Sequence, residues 1–326
     1  MTSAFRATGI GYFVEAYSYL ALVKDKVPET EFGTAAPSSQ PTLCPICGGT
    51  PVSDFRKNDC LILKCTTCGG KTTAGTFGTE HLNATYDDDY FFGGGAGYEN
   101  YLEEAELLRQ QGVRYADVLE KYLPQGRLLD VGCAAGFLQA GFEERGWSTT
   151  GLEPNASMVS HAQEKLGLHV VQGSLESVGE LPPFDAVCLI QVIGHFHNLT
   201  QAMQSVSELT REDGLCLIEY WRMDSWVAKM FGKNWHDYSP PSVLHWFSRS
   251  SLDELMQNHG FAPVTGGIPK KYISAGHAAS LAEHALQSTP LPGFLTKPLR
   301  ISPKTLKLRY PAFDLEWRLY RRTRSA

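Results

Sequence analysis

The chain has no run of about 20 consecutive apolar residues, the length a membrane-crossing helix needs, so no transmembrane segment is expected. Its most apolar terminal stretch, IGYFVEAYSYLALV, is interrupted by Glu15, and no small-residue cleavage site follows. That argues against a secretory leader and for a cytoplasmic protein. The pattern fits an amphipathic helix burying Phe13, Tyr17 and Leu20, with a helix lying on a membrane surface as the alternative. No internal repeat is apparent. Positive charge is also short: 29 Lys and Arg face 35 Asp and Glu, and the net charge of −6 argues against a nucleic-acid partner. The imbalance is uneven. From Phe294 onward nine Lys and Arg face Asp314 and Glu316, a local +7 that leaves −13 for residues 1–293. Such an end suits a solvated terminus, or peripheral contact with an anionic surface, a phosphorylated substrate or a lipid headgroup.

What is present describes a globular chain of about two domains, 43% apolar and 20% charged. Four of its eight cysteines form a pattern: Cys44 and Cys47 in CPICGG, then Cys65 and Cys68 in CTTCGG, with seventeen residues between the pairs. Two C-x2-C turns at this spacing read as a four-thiolate zinc site, structural because every ligand position is filled. CLILKC is expected as a strand leading into the second turn. Two disulfides would instead need an oxidising compartment. So small a module buries little apolar surface, and a metal would supply the missing stability. Cys60 reads as a spectator, and Cys133, Cys188 and Cys216 as small core residues. Residues 24–42 read as a polar linker.

YDDDYFFGGGAGYENY, residues 86–101, reads as a loop, its aspartates as a solvated turn, and its glycines beside aromatics as a lid over a ligand. A helix is expected from Asn100 to Leu123, with Leu102, Leu107, Val113, Ala116, Leu119 and Leu123 on one face. From Arg127 strand and helix patterns alternate: RLLDVG, FLQAGFEERG, STTGLEP, NASMVSHAQEKLG, HVVQGS, FDAVCLIQVI, TQAMQSVSELT, GLCLIEYW and SRSSLDELMQNHG. This order predicts a doubly wound α/β sheet with ligands at the carboxyl ends of its strands. The turn in LLDVGCAAG closes its first strand. Gly132 and Gly136 lack side chains there, so a nucleoside can lie against the backbone where the next helix presents free N–H groups. The order G-C-A-A-G fails the dinucleotide spacing G-x-G-x-x-G. Asp130 precedes the turn. Glu153 ends the second strand, where a carboxylate can accept from both hydroxyls of a ribose.

D-x-G-x-x-x-G on strand one, with an acid ending strand two, resembles the class I S-adenosylmethionine-dependent methyltransferases. The resemblance runs from about Tyr86 to Phe261 through LLDVGCAAG, GLEPNASMV, QGSLES and FDAVCLIQVIGHFHN. The cysteine module, YDDDYF and PPSVLHWFSRSSLDELMQNHGF are similar to a subgroup found near glycan and secondary-metabolite enzymes. The resemblance implies a Rossmann-like sheet of seven strands and S-adenosylmethionine as cofactor. It further implies Gly132, Cys133 and Gly136 along the methionine part, Asp130 near its amino group, Glu153 and Pro154 at the ribose, Ser174 and Leu175 flanking the adenine, and Gln191 near the sulfonium. One position departs from the family: V-I-E-H is common after strand four, and VIGH stands here, with Gly194 in place of the acid.

Methyl transfer requires alignment of a nucleophile, and an oxygen or nitrogen acceptor also needs a base. His195 and His245 are the candidates by position, with His197 beside them. The insertion YWRMDSWVAKMFGKNWHDYSPPS is expected to shape the acceptor pocket or to pack on the sheet, and DLEWRLYRR to close the sheet as an antiparallel edge strand. The expected organisation is a helix and linker over 1–40, a zinc ribbon over 41–75, a lid and helix over 76–125, the cofactor-binding core over 126–270 and a basic extension over 271–326. The expected reaction is methylation of a small-molecule acceptor: a sugar, a quinol or a natural-product hydroxyl, amine or carbon. The alternatives are a protein or RNA docked by the zinc module, and a cofactor-binding scaffold without catalysis.

Overall fold

The computed structural model describes residues 43–92, 101–274, 307–310 and 312–323. The expected N-terminal helix, the 24–42 linker and the glycines at 93–97 lie outside the described residues.

The cysteine module is a small antiparallel sheet of β1 (Pro51–Lys57), β2 (Cys60–Cys65) and β3 (Lys71–Thr73). Two short helices follow, α1 (Thr79–Thr85) and α2 (Asp88–Phe92), so part of the stretch expected as loop is helical. One bond is local and one is distant: Asp87 Oδ1 accepts from the Tyr90 N–H at 3.3 Å, and Asp88 accepts from Ser157 Oγ at 3.1 Å. The predicted long helix begins as a 3₁₀ turn over Tyr101–Glu104 and continues as α3 (Ala105–Leu119).

The alternation predicted from Arg127 onward is realised as β4 (Arg127–Val131), α4 (Phe137–Glu144), β5 (Ser148–Glu153), α5 (Ala156–Leu166), β6 (Val170–Gln172), β7 (Phe184–Ile190), α6 (Leu199–Leu209) and β8 (Thr210–Trp221). These five strands run parallel in the order β6-β5-β4-β7-β8. The chain reverses its direction of winding at β4, which puts a crevice at the carboxyl ends of β4 and β7. β7 shows why the sheet is buried on both sides. Ala186 and Cys188 face α3 and α4, while Val187 and Leu189 face the opposite layer, all fully buried. Each such aliphatic side chain contributes about 1.5–3 kcal/mol relative to exposure. Asn155 caps α5 by accepting from the Met158 N–H at 2.9 Å.

After β8 come α7 (Trp226–Phe231), β9 (His245–Trp246), α8 (Arg249–Asn258), β10 (Phe261–Gly267), the ribbon of β11 (Lys271–Ser274) and β12 (Lys307–Tyr310), and β13 (Leu315–Arg322). Ser248 begins α8 with a reciprocal capping pair to Ser251. The sheet therefore has seven strands, in the order β10-β13-β8-β7-β4-β5-β6. β13 is antiparallel as expected, but it is not the edge: it lies between β8 and β10, so its Leu319 and Tyr320 are fully buried.

The insertion after β8 packs against the cysteine module. Trp235, Tyr238, Val243 and Trp246 form one buried cluster with Ile62 of β2. β9 adds itself to the small sheet by pairing with β3. Asp314 fastens the same insertion to the start of β13, accepting from Trp235 Nε1 at 2.8 Å and contacting His236 Nε2 at 2.9 Å. These aromatics thus fill an internal core shared with the cysteine module rather than packing on the main sheet, as one of the two expectations for the insertion had it.

Candidate active site

The turn after β4 turns on Gly132, whose φ of 67° lies in the left-handed region. Its N–H donates to the Leu152 carbonyl at 2.7 Å, tying the turn to β5, and a Cβ here would meet Val192 Cγ1 at 2.5 Å. Gly136 also has a packing role that its spacing did not suggest. A Cβ there would fall 2.5 Å from Leu168 Cδ1 and 3.1 Å from Ala162, so the absent side chain makes room for α5 and for Leu168 after it. The Cys133 thiol is likewise buried, packed with Val159, Ala162, Leu168 and Val170.

Two acids end the neighbouring strands. Asp130 is 2% exposed, and its Oδ2 has no hydrogen-bond partner among the described residues. Burial, and then the charge of Glu153, push its carboxyl up to about 8. Glu153 accepts from the Ala134 N–H and the Asn155 N–H, both at 2.9 Å. Burial outweighs those two bonds and raises it to about 7. Each of its oxygens keeps a further lone pair. A buried acid with an orphaned oxygen suits a ligand ammonium, and a neighbouring carboxylate with spare lone pairs suits a diol. The donor set therefore fits the amino-acid and ribose parts of S-adenosylmethionine.

The segment expected as a lid packs beside these acids. Asn155 Nδ2 donates to the Tyr86 carbonyl at 3.0 Å and to Asp88 Oδ1 at 3.2 Å, which ties α2 to the start of α5. Phe91 and Tyr101 pack on Ala134, Ala135, Phe137 and Met158. Burial, followed by the nearby Glu153, pushes the Tyr90 phenol up to about 12. Pro154 is half-buried, and its carbonyl accepts from Gln172 Nε2 at 3.2 Å. Ser174 is half-buried beside Ser177 Oγ at 3.2 Å. Leu175 does not line the crevice with its side chain: it is 1% exposed and belongs to the main core, because the backbone after β6 turns it beneath the sheet.

Gln191 follows β7 with a φ of 59°, a conformation rare outside glycine. Its N–H donates to the Glu219 carbonyl at 2.8 Å, and its Nε2 donates to Glu219 Oε1 at 2.7 Å. Glu219 is fully buried and also accepts from Gln111 Nε2 at 3.0 Å and from the Tyr115 hydroxyl. Sequence reasoning missed this group. Its only signal is one acid in the otherwise uncharged run GLCLIEYW.

The two candidate histidines differ. His195 Nδ1 lies 2.8 Å from the Ser242 carbonyl and touches the Tyr86 hydroxyl, so its ring is held against the lid. His245 is 7% exposed. Its Nε2 lies 2.9 Å from the Phe196 carbonyl and its Nδ1 lies 3.0 Å from Thr72 Oγ1. A carbonyl can only accept, so Nε2 carries the proton and Nδ1 accepts from the threonine. Burial lowers the imidazole to about 4. Both nitrogens are committed, which corrects the expectation that His245 serves as a base. Gly194 lies in the same corner. Its carbonyl accepts from the Leu244 N–H at 2.8 Å, and a Cβ there would sit 3.0 Å from the His245 carbonyl oxygen and 3.3 Å from Val243. The segment before β9 occupies the space that a side chain at 194 would need.

The four cysteine sulfurs lie within 4.8 Å of one another, with 3.9 Å between Cys44 and Cys68 and 3.6 Å between Cys47 and Cys65. Tetrahedral Zn–S bonds of about 2.3 Å place sulfurs about 3.8 Å apart. The N–H groups of Gly49, Thr67 and Gly70 point at three of them at 3.4 Å, as thiolates require. The donor set fits a thiophilic tetrahedral ion.

A family profile described as a methyltransferase domain matches residues 101–265, half of the chain. A ubiquinone biosynthesis O-methyltransferase of Pasteurella multocida is 25% identical over 188 residues, covering 47% of this chain and 77% of the relative. Among solved structures, 1,6-didemethyltoxoflavin-N1-methyltransferase of Burkholderia thailandensis aligns with a TM-score of 0.49 and 14% identity, covering 84% of this chain and 99% of that one. Magnesium protoporphyrin IX methyltransferase of Synechocystis PCC 6803 aligns with a TM-score of 0.44 and 14% identity, covering 75% and 94%.

Proposed function

We propose, from the premise that this chain belongs to the class I S-adenosylmethionine-dependent methyltransferases, that it methylates a small-molecule acceptor. The observation that carries the placement of the site is the pair Asp130 and Glu153, two buried acids at the ends of adjacent parallel strands, one with an orphaned oxygen. When bound, the cofactor supplies an electrophilic methyl group on a sulfonium. Asp130 would hold its amino group, Glu153 its ribose hydroxyls, and Gln191 would lie at the sulfonium end. Ala134, Ala135 and the aromatic lid would exclude water from one side. His195, fixed between Tyr86 and Ser242, is the preferred candidate for handling the acceptor's proton, since His197 Nδ1 lies 3.1 Å from Glu176.

The Pasteurella relative is named for ubiquinone biosynthesis, which supports a quinol among the acceptors to be tested first. The scaffold alternative drew on Gly194, and close packing against Val243 and the His245 carbonyl gives that residue a structural reason of its own. The cysteine cluster is proposed to hold a structural zinc ion that secures the module against the core.

Calorimetric titration with S-adenosylmethionine tests the site, and a product mass increase of one methyl group over a panel of quinols, sugars and amines tests the reaction. Absence of binding at millimolar cofactor, or unchanged affinity in both Asp130→Ala and Glu153→Ala, would overturn the site. Methylation of protein or RNA with no small-molecule product would overturn the acceptor class.

A further inference from the structure

The Glu219 carboxylate sits at the carboxyl end of β8, beside the turn that Gln191 makes after β7. It is fully buried, and three donors converge on it: the Gln191 amide, the Gln111 amide and the Tyr115 hydroxyl. All three are neutral. Burial holds the Tyr115 phenol well above its usual range, so it remains an O–H donor. Arg114 is the charged group on the same helix that feels Glu219, and its guanidinium lies over the Tyr272 ring at 5.6 Å from the centroid. A core position that needed only packing would carry an apolar residue, since burying a carboxylate is costly even when it is hydrogen-bonded. Here the cost maintains an acid one side chain away from Gln191.

We propose that Glu219 is a positioning and charge-selecting residue of the methyl-transfer site: it fixes Gln191 and supplies a buried negative charge that favours the sulfonium cofactor over its neutral thioether product. The inference rests on the assignment of the crevice at Gly132 and Gln191 to S-adenosylmethionine. Two features carry it. Gln191 is held both by its backbone, through the Glu219 carbonyl, and by its side chain, through the Glu219 carboxylate, so its unusual backbone conformation and its amide direction have one origin. The charge lies in a water-excluded layer between β8 and α3, where a unit charge several ångströms away is felt far more strongly than in water. The thioether lacks the positive charge, so Glu219 discriminates between the two forms and favours exchange of product for fresh cofactor.

The test compares dissociation constants for S-adenosylmethionine and S-adenosylhomocysteine, measured calorimetrically in the full-length protein and in two variants checked for folding by thermal melting. Glu219→Gln removes the charge and keeps the shape. Gln111→Lys keeps the acid and neutralises it in place with an adjacent ammonium. Each variant should shift the ratio of the two constants against the sulfonium by about ten-fold or more, the scale expected for one charge within about 12 Å at an effective dielectric near 20. Glu219→Asp, which retains the charge, should restore most of the native ratio. A ratio unchanged in whichever of Glu219→Gln and Gln111→Lys folds would overturn the role of Glu219. Failure of the native protein to bind either nucleoside would instead overturn the cofactor assignment on which the inference rests.

Discussion

The Thr72 hydroxyl donates to His245 Nδ1 at 3.0 Å, and the opposite nitrogen of the same ring donates to the Phe196 carbonyl at 2.9 Å. One imidazole thus joins β3 of the cysteine module to the loop that follows β7. The module and the crevice are neighbours through this ring and through the β3–β9 pairing beside it.

His245 therefore governs stability. Replacing it with Ala leaves a buried hydroxyl and a carbonyl without their partner, at a cost of about 1–3 kcal/mol. Thermal melting should show the loss, while S-adenosylmethionine binding at low temperature persists. The pH dependence has a definite sign. The folded imidazole titrates near 4, below the ordinary value of 6.5, so the unfolded chain takes up this proton first as pH falls. This group's contribution is complete above about pH 6.5 and is lost progressively towards pH 4. His245→Gln should flatten that part of the melting profile.

Asp130 has the opposite sign. Its folded carboxyl is raised to about 8, so the ligand-free fold loses stability from this group as pH rises from about 4 to 8. Holding an ammonium requires the carboxylate, so cofactor binding should release up to about one proton between pH 6 and 7.5. Calorimetry in buffers of differing ionisation enthalpy measures that release. Asp130→Asn should abolish most of it and weaken binding by about ten-fold or more.

Chelation of the zinc proposed for the cysteine cluster should loosen β1 to β3 and, through β9, the segment 243–246. Chelation or Cys47→Ser should lower the melting temperature and speed amide exchange in these strands. Elemental analysis should return about one zinc per chain. A metal-free preparation with native exchange rates would contradict the structural role.

Gly194→Glu introduces the acid that the family resemblance led one to expect at this position, yet it should be unfavourable here. Its Cβ would press on the His245 carbonyl and on Val243, so the segment must move, at a cost of about 1–3 kcal/mol. A melting temperature at or above that of the native protein would show that the segment yields freely.

Much of the architecture was legible. The alternation from β4 to β8 shows in the sequence because each element declares itself through nearby residues: the apolar run FDAVCLI for a strand buried on both faces, Asn155 and Gly167 at the two ends of a helix. The cysteine pairs and the acids at 130 and 153 were visible for the same reason. The helix at Asp88–Phe92 was hidden by the glycines that follow it, and its anchor is Ser157, far along the chain. β13 read correctly as an antiparallel strand, but nothing within DLEWRLYRR says that β10 lies beyond it.

Sequence alone determined the fold class, the cysteine cluster and the two strand-end acids, because periodicity, turn chemistry and ligand spacing act over a few residues. The tertiary structure decided which side chains face the crevice. It turned Leu175 into the core, spent both nitrogens of His245 on Thr72 and Phe196, and gathered Gln111, Tyr115 and Gln191 around Glu219. Those contacts join residues tens to more than a hundred positions apart. Hydrogen bonding and burial at that range depend on how the layers pack, which no local pattern encodes.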